Sequence, residues 1–408
     1  MQFTELNLSA DLTIAISSQF THATAIQTSV IPVALANKDI LALAQTGSGK
    51  TLAFGLPILE RVKALRSVTQ AIILVPTREL AMQVHDALRC IAEKLDIRSQ
   101  VLCGGVDKDA QIEALQQRPE IIVATPGRLL DLLNDNAIDA STITTLVLDE
   151  ADRLVEMGFW SDVQKIVAYT PATRQTMMFS ATLLPELKAS MESLLTAPEM
   201  IEAHQANSVV SEIEEIAYLV NKGSKANVLI DQIKQHGWKQ ALVFIGAKDN
   251  ADALCKKLNK AGLTVSALHG NKTQQERETI LAEFKQQKTQ ILVATDLLAR
   301  GIHIDQLPVV INIELPSNPT TYVHRIGRTG RAGEKGLAVS LVCHGESEYL
   351  AAIRQLTNRP LPLQELADFP VTDKPSSGEN KRAPRDKQAN RRTAKKTSIK
   401  QFGNKPKR

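Results

Sequence analysis

A chain of 408 residues is too long for one ordinary hydrophobic core, so two domains and an irregular segment are expected. Hydrophobic residues at 43% and charged residues at 23% argue against wholesale disorder, and no run of about 18 apolar residues is present to span a bilayer. The net charge of +4 is uneven: from Lys374 to Arg408 there are 13 Lys or Arg against 2 acidic residues, a local +11 that leaves residues 1–373 at −7.

At the N-terminus, Met1 to Ser9 has neither the basic start nor the apolar stretch of a secretory leader, so a cytoplasmic chain is expected. The four cysteines, Cys90, Cys103, Cys255 and Cys343, lack close CxxC spacing and are read as reduced, buried thiols. From Asp39 to about Leu356, short apolar runs alternate with amphipathic stretches, the signature of strand-helix-strand units around buried parallel sheets. Residues 40–43, 72–75, 121–123, 146–148 and 177–179 are expected as strands of one sheet. Residues 79–95 are expected as a helix, with Leu80, Val84, Ala87, Leu88 and Ile91 on one face.

The pattern weakens through Pro198, Gln205, Asn207 and Ser208, which places a domain boundary there. A second series of strands follows at 241–244, 265–268, 291–294, 309–311 and 338–342, so the chain reads as two similar α/β domains in tandem. Beyond Pro370 large apolar residues almost disappear, and a disordered basic tail is expected.

Between the first strand and the next helix lies Ala44-Gln45-Thr46-Gly47-Ser48-Gly49-Lys50-Thr51, one residue away from the general phosphate-loop pattern because Ala44 replaces its first glycine. Backbone N–H groups there can hold phosphate oxygens, Gly47 and Gly49 permit close approach, and Lys50 is expected to reach the β and γ phosphates. Thr51 supplies a hydroxyl to magnesium, and Asp149, directly after the apolar run 146–148, supplies the matching carboxylate. Glu150 is then free to orient an attacking water. In isolation Asp149-Glu150-Ala151-Asp152 would be a solvated acidic turn; with the phosphate loop about a hundred residues upstream it becomes half of a nucleotide site.

Asp149 to Asp152, Ala44 to Thr51 and Ser180-Ala181-Thr182 together resemble a DEAD-box ATP-dependent RNA helicase, from Phe3 to about Leu356. The resemblance implies two tandem RecA-like domains, each a mostly parallel sheet flanked by helices, closing on ATP, Mg2+ and RNA. It divides the chain into a Q motif region at 1–29, an ATP-binding domain at 30–207, a C-terminal helicase domain at 208–366 and a basic tail at 367–408. Gln27 is implied to read adenine through its amide, and Phe3 to stack on the base, with Phe20 as the lesser candidate. The segment 19–25 lacks the glycine and both prolines common at that place in the family.

The same resemblance implies RNA contacts at Pro76, Thr77 and Arg78, at Gly104 and Gly105, at Thr125, Pro126, Gly127 and Arg128, and in the second domain at His269, Gly270, Gln274, Arg277 and Thr295. Such positions suit phosphate and sugar rather than base edges, so recognition independent of sequence is expected. In His324-Arg325-Ile326-Gly327-Arg328-Thr329-Gly330-Arg331, the fingers that stabilise the transferring γ-phosphoryl are assigned to Arg328 and Arg331. Asp152, Ser180, Ala181, Thr182 and His324 are assigned to coupling. His303 stands where the family has an aspartate that touches the ribose, which implies weakened coupling of ATP to closure unless Asp305 substitutes.

The expected activity is RNA-stimulated ATP hydrolysis with local duplex unwinding, and the alternative is an ATP-gated RNA clamp that remodels ribonucleoproteins. Ribosome-assembly or ribonucleoprotein partners fit either reading, and no membrane is involved. The basic tail is expected to raise RNA affinity by releasing counterions.

Overall fold

The computed structural model describes residues 1–44, 47–62, 68–182, 188, 194–202, 213–296, 307–330 and 335–374. The tail from residue 375 onward, with Phe402, lies outside the described residues.

The first sheet comprises β1 (Ile40–Leu43), β2 (Ala71–Leu74), β3 (Ser99–Leu102), β4 (Ile121–Ala124), β5 (Thr145–Leu148), β6 (Gln175–Ser180) and β7 (Glu199–Glu202), in the order β3-β4-β2-β5-β6-β1-β7. All its described pairings are parallel. Because successive side chains point to opposite faces, each central strand feeds two cores at once. Ile40 and Ala42 join one cluster with Phe54, Leu88 and Ile73, while Leu41 and Leu43 join the other with Ile72, Leu74 and Leu129. This two-sided burial is why these strands read as unbroken apolar runs.

The second sheet comprises β8 (Ile213–Leu219), β9 (Ala241–Phe244), β10 (Val265–Leu268), β11 (Ile291–Ala294), β12 (Val309–Asn312), β13 (Gly336–Val342) and β14 (Leu363–Gln364), again parallel, in the order β10-β11-β9-β12-β13-β8-β14. Strand for strand, this repeats the order of the first sheet. In such sheets ligands bind outside the carboxyl ends of the strands, and the motif residues of both domains follow strand ends.

Four strands escape the sequence pattern. The exposed β7 and the two-residue β14 are edges, β3 mixes Ser99 and Gln100 with apolar residues, and β8 carries Glu214 and Glu215. The helix expected at 79–95 is an α-helix over Arg78–Ala92 closed by a 3-10 turn at Glu93–Leu95, where Asp96 turns left-handed with φ 56°. Cys90 is exposed, contrary to expectation, whereas the other three thiols are buried.

The second domain continues past the expected limit at 366. Leu366 and Phe369 pack against its core, and the Asn221 carboxamide accepts from the N–H groups of Thr372 and Asp373 at 2.9 and 2.8 Å. Likewise, residues 1–29 are no separate unit, since Phe3, Leu6, Leu12, Ile16 and Ile26 share the core of β1. Among the described residues no helix is long and apolar enough to cross a membrane.

Candidate active site

Lys50 is the first residue of the helix Lys50–Val62, which follows β1. Its ammonium, buried at 6% exposure, donates to the Ala44 carbonyl at 3.2 Å and lies 3.9 Å from the Asp149 carboxylate. Gly49 has φ 96°, and a Cβ there would come within 2.5 Å of Gln27 Nε2, so only glycine fits. Ala44 is buried and its N–H donates to the Ser180 carbonyl, which carries the β1–β6 ladder one step onward. Gly47, Ser48 and the half-buried Thr51 complete the described loop; Gln45 and Thr46 lie outside the described residues.

The amide of Gln27 is engaged by the protein. Its Oε1 accepts from Thr24 N–H at 2.9 Å and its Nε2 donates to the Gly49 carbonyl at 3.0 Å, which ties the N-terminal segment to the phosphate loop. Phe3 lies in the core at 3% exposure, so its surroundings are those of a packing residue rather than an open stacking platform, while Phe20 is exposed.

Asp149 extends β5 by one bond, its N–H donating to the Leu74 carbonyl. Burial pushes its carboxyl up to about 6, against the pull of Lys50. Glu150 then turns left-handed at φ 50° and ψ 51°, a conformation that costs a non-glycine residue on the order of 1 kcal/mol. Its carboxylate accepts from Arg153 Nη1 at 2.7 Å. Burial alone would raise its pKa, but Arg153, Lys50 and Arg328 together hold it below the ordinary glutamate value.

Asp152 Oδ2 accepts from Ala181 N, Thr182 N and Thr182 Oγ1 at 3.2, 3.0 and 2.8 Å, so the strand ends of β5 and β6 are bonded to each other. Ser180 Oγ donates to the Thr182 carbonyl at 2.6 Å. His324 of the second domain brings Nε2 to 3.6 Å from the same Asp152 oxygen. Against the burial cost, His324, Lys50 and Thr182 hold Asp152 far below the usual carboxylate range.

His324 sits on the helix Pro319–Ile326, which meets the helix Ala151–Glu156 of the first domain at two places. At its other end Asn318 Nδ2 and Thr320 Oγ1 donate to Glu156 Oε1 at 3.0 and 3.4 Å, so two points fix one helix against the other. This places Arg328, itself buried, within electrostatic reach of Glu150. Arg331, His303 and Asp305 lie outside the described residues.

Arg325, between these two functional positions, has a different task. Its guanidinium forks onto Asp296 at 2.6 and 2.8 Å, donates to Asn312 Oδ1 and the Glu314 carbonyl, and lies over the Phe244 ring, at 1% exposure. Such a planar, bidentate group braces the carboxyl ends of β9, β11 and β12. Neither Arg325 nor Arg153, Glu156, Asn318 and Thr320 were assigned these tasks from sequence; a carboxylate and an arginine three apart, as in Glu150 and Arg153, was the one available signal.

The expected RNA residues of the first domain converge. The Arg78 guanidinium lies against Gly105, where a Cβ would come within 2.1 Å of it, and Arg128 donates to the Val106 carbonyl at 3.0 Å. Thr77 caps the helix Arg78–Ala92, Pro76 is buried, and Thr125 precedes Pro126 at the start of Pro126–Asn134. A Cβ at Gly104 would come only to 4.0 Å from Arg78, and one at Gly127 or Gly270 would meet nothing within 4 Å.

In the second domain Gln274 opens the helix Gln274–Lys285 and donates to Glu278, and Thr295 is held by the Leu268 carbonyl. Arg277 is spent within the protein: it donates to the Lys272 and Gly270 carbonyls and bridges to Glu79 of the first domain at 3.4 Å. His269 is buried beside Asp252.

Thr51 and Asp149 offer hard oxygen donors beside the phosphate loop. Among the described residues no group of three or more His, Cys, Asp or Glu is arranged to hold a metal ion.

The family model for the DEAD/DEAH box helicase matches residues 24–190, and that for the helicase conserved C-terminal domain matches 224–333. The DEAD-box ATP-dependent RNA helicase CshA of Bacillus licheniformis is 42% identical over 360 residues, covering 88% of this chain and 74% of its own length, and its Bacillus subtilis namesake is 41% identical over 362 residues, with coverages of 88% and 73%. Among solved structures, S. cerevisiae Dbp5 bound to RNA and ADP BeF3 superposes with a TM-score of 0.81 at 32% identity, over 90% of this chain and 95% of that one. A DEAD box protein from Methanococcus jannaschii, though 36% identical and covering 90% and 99%, reaches only 0.54. Similarity of shape across both domains therefore follows the RNA-bound and nucleotide-bound relative rather than the higher identity.

Proposed function

The chain belongs to the DEAD-box helicase family, and on that premise we propose that it hydrolyses ATP when its two RecA-like domains close over RNA, and that closure separates short duplexes locally. The observation that carries this reading is the meeting of the Asp149–Asp152 segment with His324 and Arg328, which belong to the other domain. Hydrolysis would then depend on closure, because half of the charged groups arrive only with it.

In this reading Lys50 and the phosphate-loop N–H groups bind the β and γ phosphates, and Thr51 and Asp149 would hold magnesium, whose charge offsets that of the phosphates. Glu150, oriented by Arg153, takes the proton of the attacking water. Arg328, with Arg331, stabilises charge on the γ-phosphoryl. Gln27 acts from the far side of the loop: its bond to the Gly49 carbonyl lets the N-terminal segment report whether the nucleotide is seated.

The patch formed by Arg78, Gly104, Gly105, Thr125, Gly127 and Arg128 would take RNA by phosphate and 2′-hydroxyl, with Gly270, Gln274 and Thr295 opposite. A cytoplasmic location and ribonucleoprotein or ribosome-assembly partners belong to the same proposal.

The test is RNA-stimulated ATP hydrolysis measured beside release of a strand from a short duplex, with DNA as the comparison polymer. Stimulation by RNA and not DNA, with strand release, is expected. Turnover without release would favour the ATP-gated clamp, and equal stimulation by DNA would overturn the assignment to RNA.

A further inference from the structure

Since the two sheets share one strand order, each place in the first has a counterpart in the second. Lys50 opens the helix after β1; Lys225 opens the helix Lys225–His236 after β8, the strand at the same place. Both ammonium groups are buried, at 6% and 7% exposure. Lys50 faces Asp149 past β5, and Lys225 donates at 2.8 Å to the Ile313 carbonyl past β12, the counterpart of β5. Outside these strand ends the second domain has a cleft of about 840 Å³ with an aliphatic floor that includes Ile245, Leu254 and Leu315. That volume is in the range of small-molecule sites.

One carboxylate, that of Glu346, already occupies the inner end. Its Oε2 accepts from Lys225 Nζ at 2.5 Å and Cys343 N–H at 2.9 Å, and its Oε1 accepts from Leu315 N–H at 3.1 Å. An ammonium and two backbone N–H groups converging on one oxyanion is the donor set that a phosphate cradle presents. The other acids at the rim are taken up as well, Glu314 by Gly246 N–H and Asp373 by Lys222 N–H. Lys222 and Lys257 at the mouth are exposed, and the lining sets Lys222, Lys225, Lys257 and Lys374 against Glu314, Glu346 and Asp373, a formal +1 that becomes +2 once the Glu346 carboxylate is removed.

We propose that this cleft is a second oxyanion site, at the topological position of the phosphate loop, and that Glu346 is its built-in ligand. The carboxylate closes the cradle to phosphate, which leaves the first domain as the place for the nucleotide. Its ligand class, once the carboxylate is gone, is inorganic phosphate and pyrophosphate.

The experiment compares the full chain with Glu346→Ala, and with Glu346→Ala combined with Lys225→Met, by thermal melting in chloride and in rising phosphate. Wild type reports any phosphate bound at the first domain alone. Glu346→Ala is expected to melt lower in chloride and to gain more from phosphate than wild type, with apparent phosphate affinity at least about tenfold tighter. The double variant is expected to lose that excess. Equal phosphate shifts in wild type and Glu346→Ala, or an excess that survives Lys225→Met, would overturn the proposal. If Glu346→Ala does not fold in chloride, its refolding yield in phosphate against chloride reads the same question, and no recovery counts against it.

Discussion

Asp152 and His324 lie 3.6 Å apart, Oδ2 to Nε2, across the boundary between the domains, and that oxygen is bonded three more times within its own domain. Asp152 is therefore satisfied whether or not the domains meet, and His324 is the partner that closure adds. His324→Ala is expected to lower RNA-stimulated turnover about tenfold or more while changing stability by no more than about 1 kcal/mol. Steady-state hydrolysis with and without RNA, beside urea unfolding, checks both; a large loss of stability would show the contact to be part of the fold.

Glu150 pairs with Arg153 while adopting a left-handed backbone. Glu150→Gln keeps the shape and removes the proposed base, so hydrolysis should slow by roughly 10²–10⁴ with nucleotide and RNA affinity retained. Arg153→Met should also slow it, because the carboxylate loses its orienting partner. Single-turnover rates distinguish the two from a binding defect.

The Asp149 carboxyl, pushed up to about 6 by burial, gives a signed pH dependence. In the nucleotide-free chain the folded state holds this proton more tightly than the unfolded one. From the ordinary aspartate value up to about 6 its ionisation therefore costs stability as pH rises, and the full cost applies above that. Asp152, held far down, works in the opposite direction: its contribution is present above the unfolded value and is lost only in strong acid. Melting of wild type minus Asp149→Asn should accordingly become less favourable between pH 4 and 6, roughly, and ATP affinity should weaken as pH falls through the same window.

Glu156 accepts from Asn318 and Thr320 at the far end of the paired helices. Glu156→Ala is expected to lower RNA-stimulated kcat by roughly three- to tenfold and to leave RNA-independent hydrolysis unchanged. A double-mutant cycle with Thr320→Val tests the contact, and strictly additive effects would show that it does not set closure.

Arg325 should prove structural. Arg325→Lys keeps the charge but loses the fork onto Asp296 together with the Asn312 and Glu314 bonds, a change expected to cost about 3–5 kcal/mol. Denaturant unfolding of the full chain should show the second domain melting first.

Much of this architecture is legible in the sequence wherever burial on both faces makes a strand uniformly apolar, as in Ile40–Leu43 or Ile291–Ala294. It fails where a strand lies at an edge or alternates with charge, as in β3 and β8. The nucleotide loop is legible because its chemistry requires adjacent residues, Lys50 and Thr51. Division of labour in 324–331 is not, because Arg325 and Arg328 belong to the same string and differ only in what the fold puts before them. Arg277 likewise reads from the sequence as an RNA contact, and the fold sets Glu79 of the other domain before it.

The repeated strand order also fixes a timetable. The first sheet is complete once β7 has left the ribosome at Glu202, whereas the second, whose first strand β8 pairs with β13 and β14, stays open until Gln364. During that interval the nascent chain carries a finished phosphate loop and Asp149, but neither His324 nor Arg328 in place. Synthesis therefore passes through a stage at which Lys50 and Asp149 already stand on a finished sheet while the groups that the second domain brings to them are still to come.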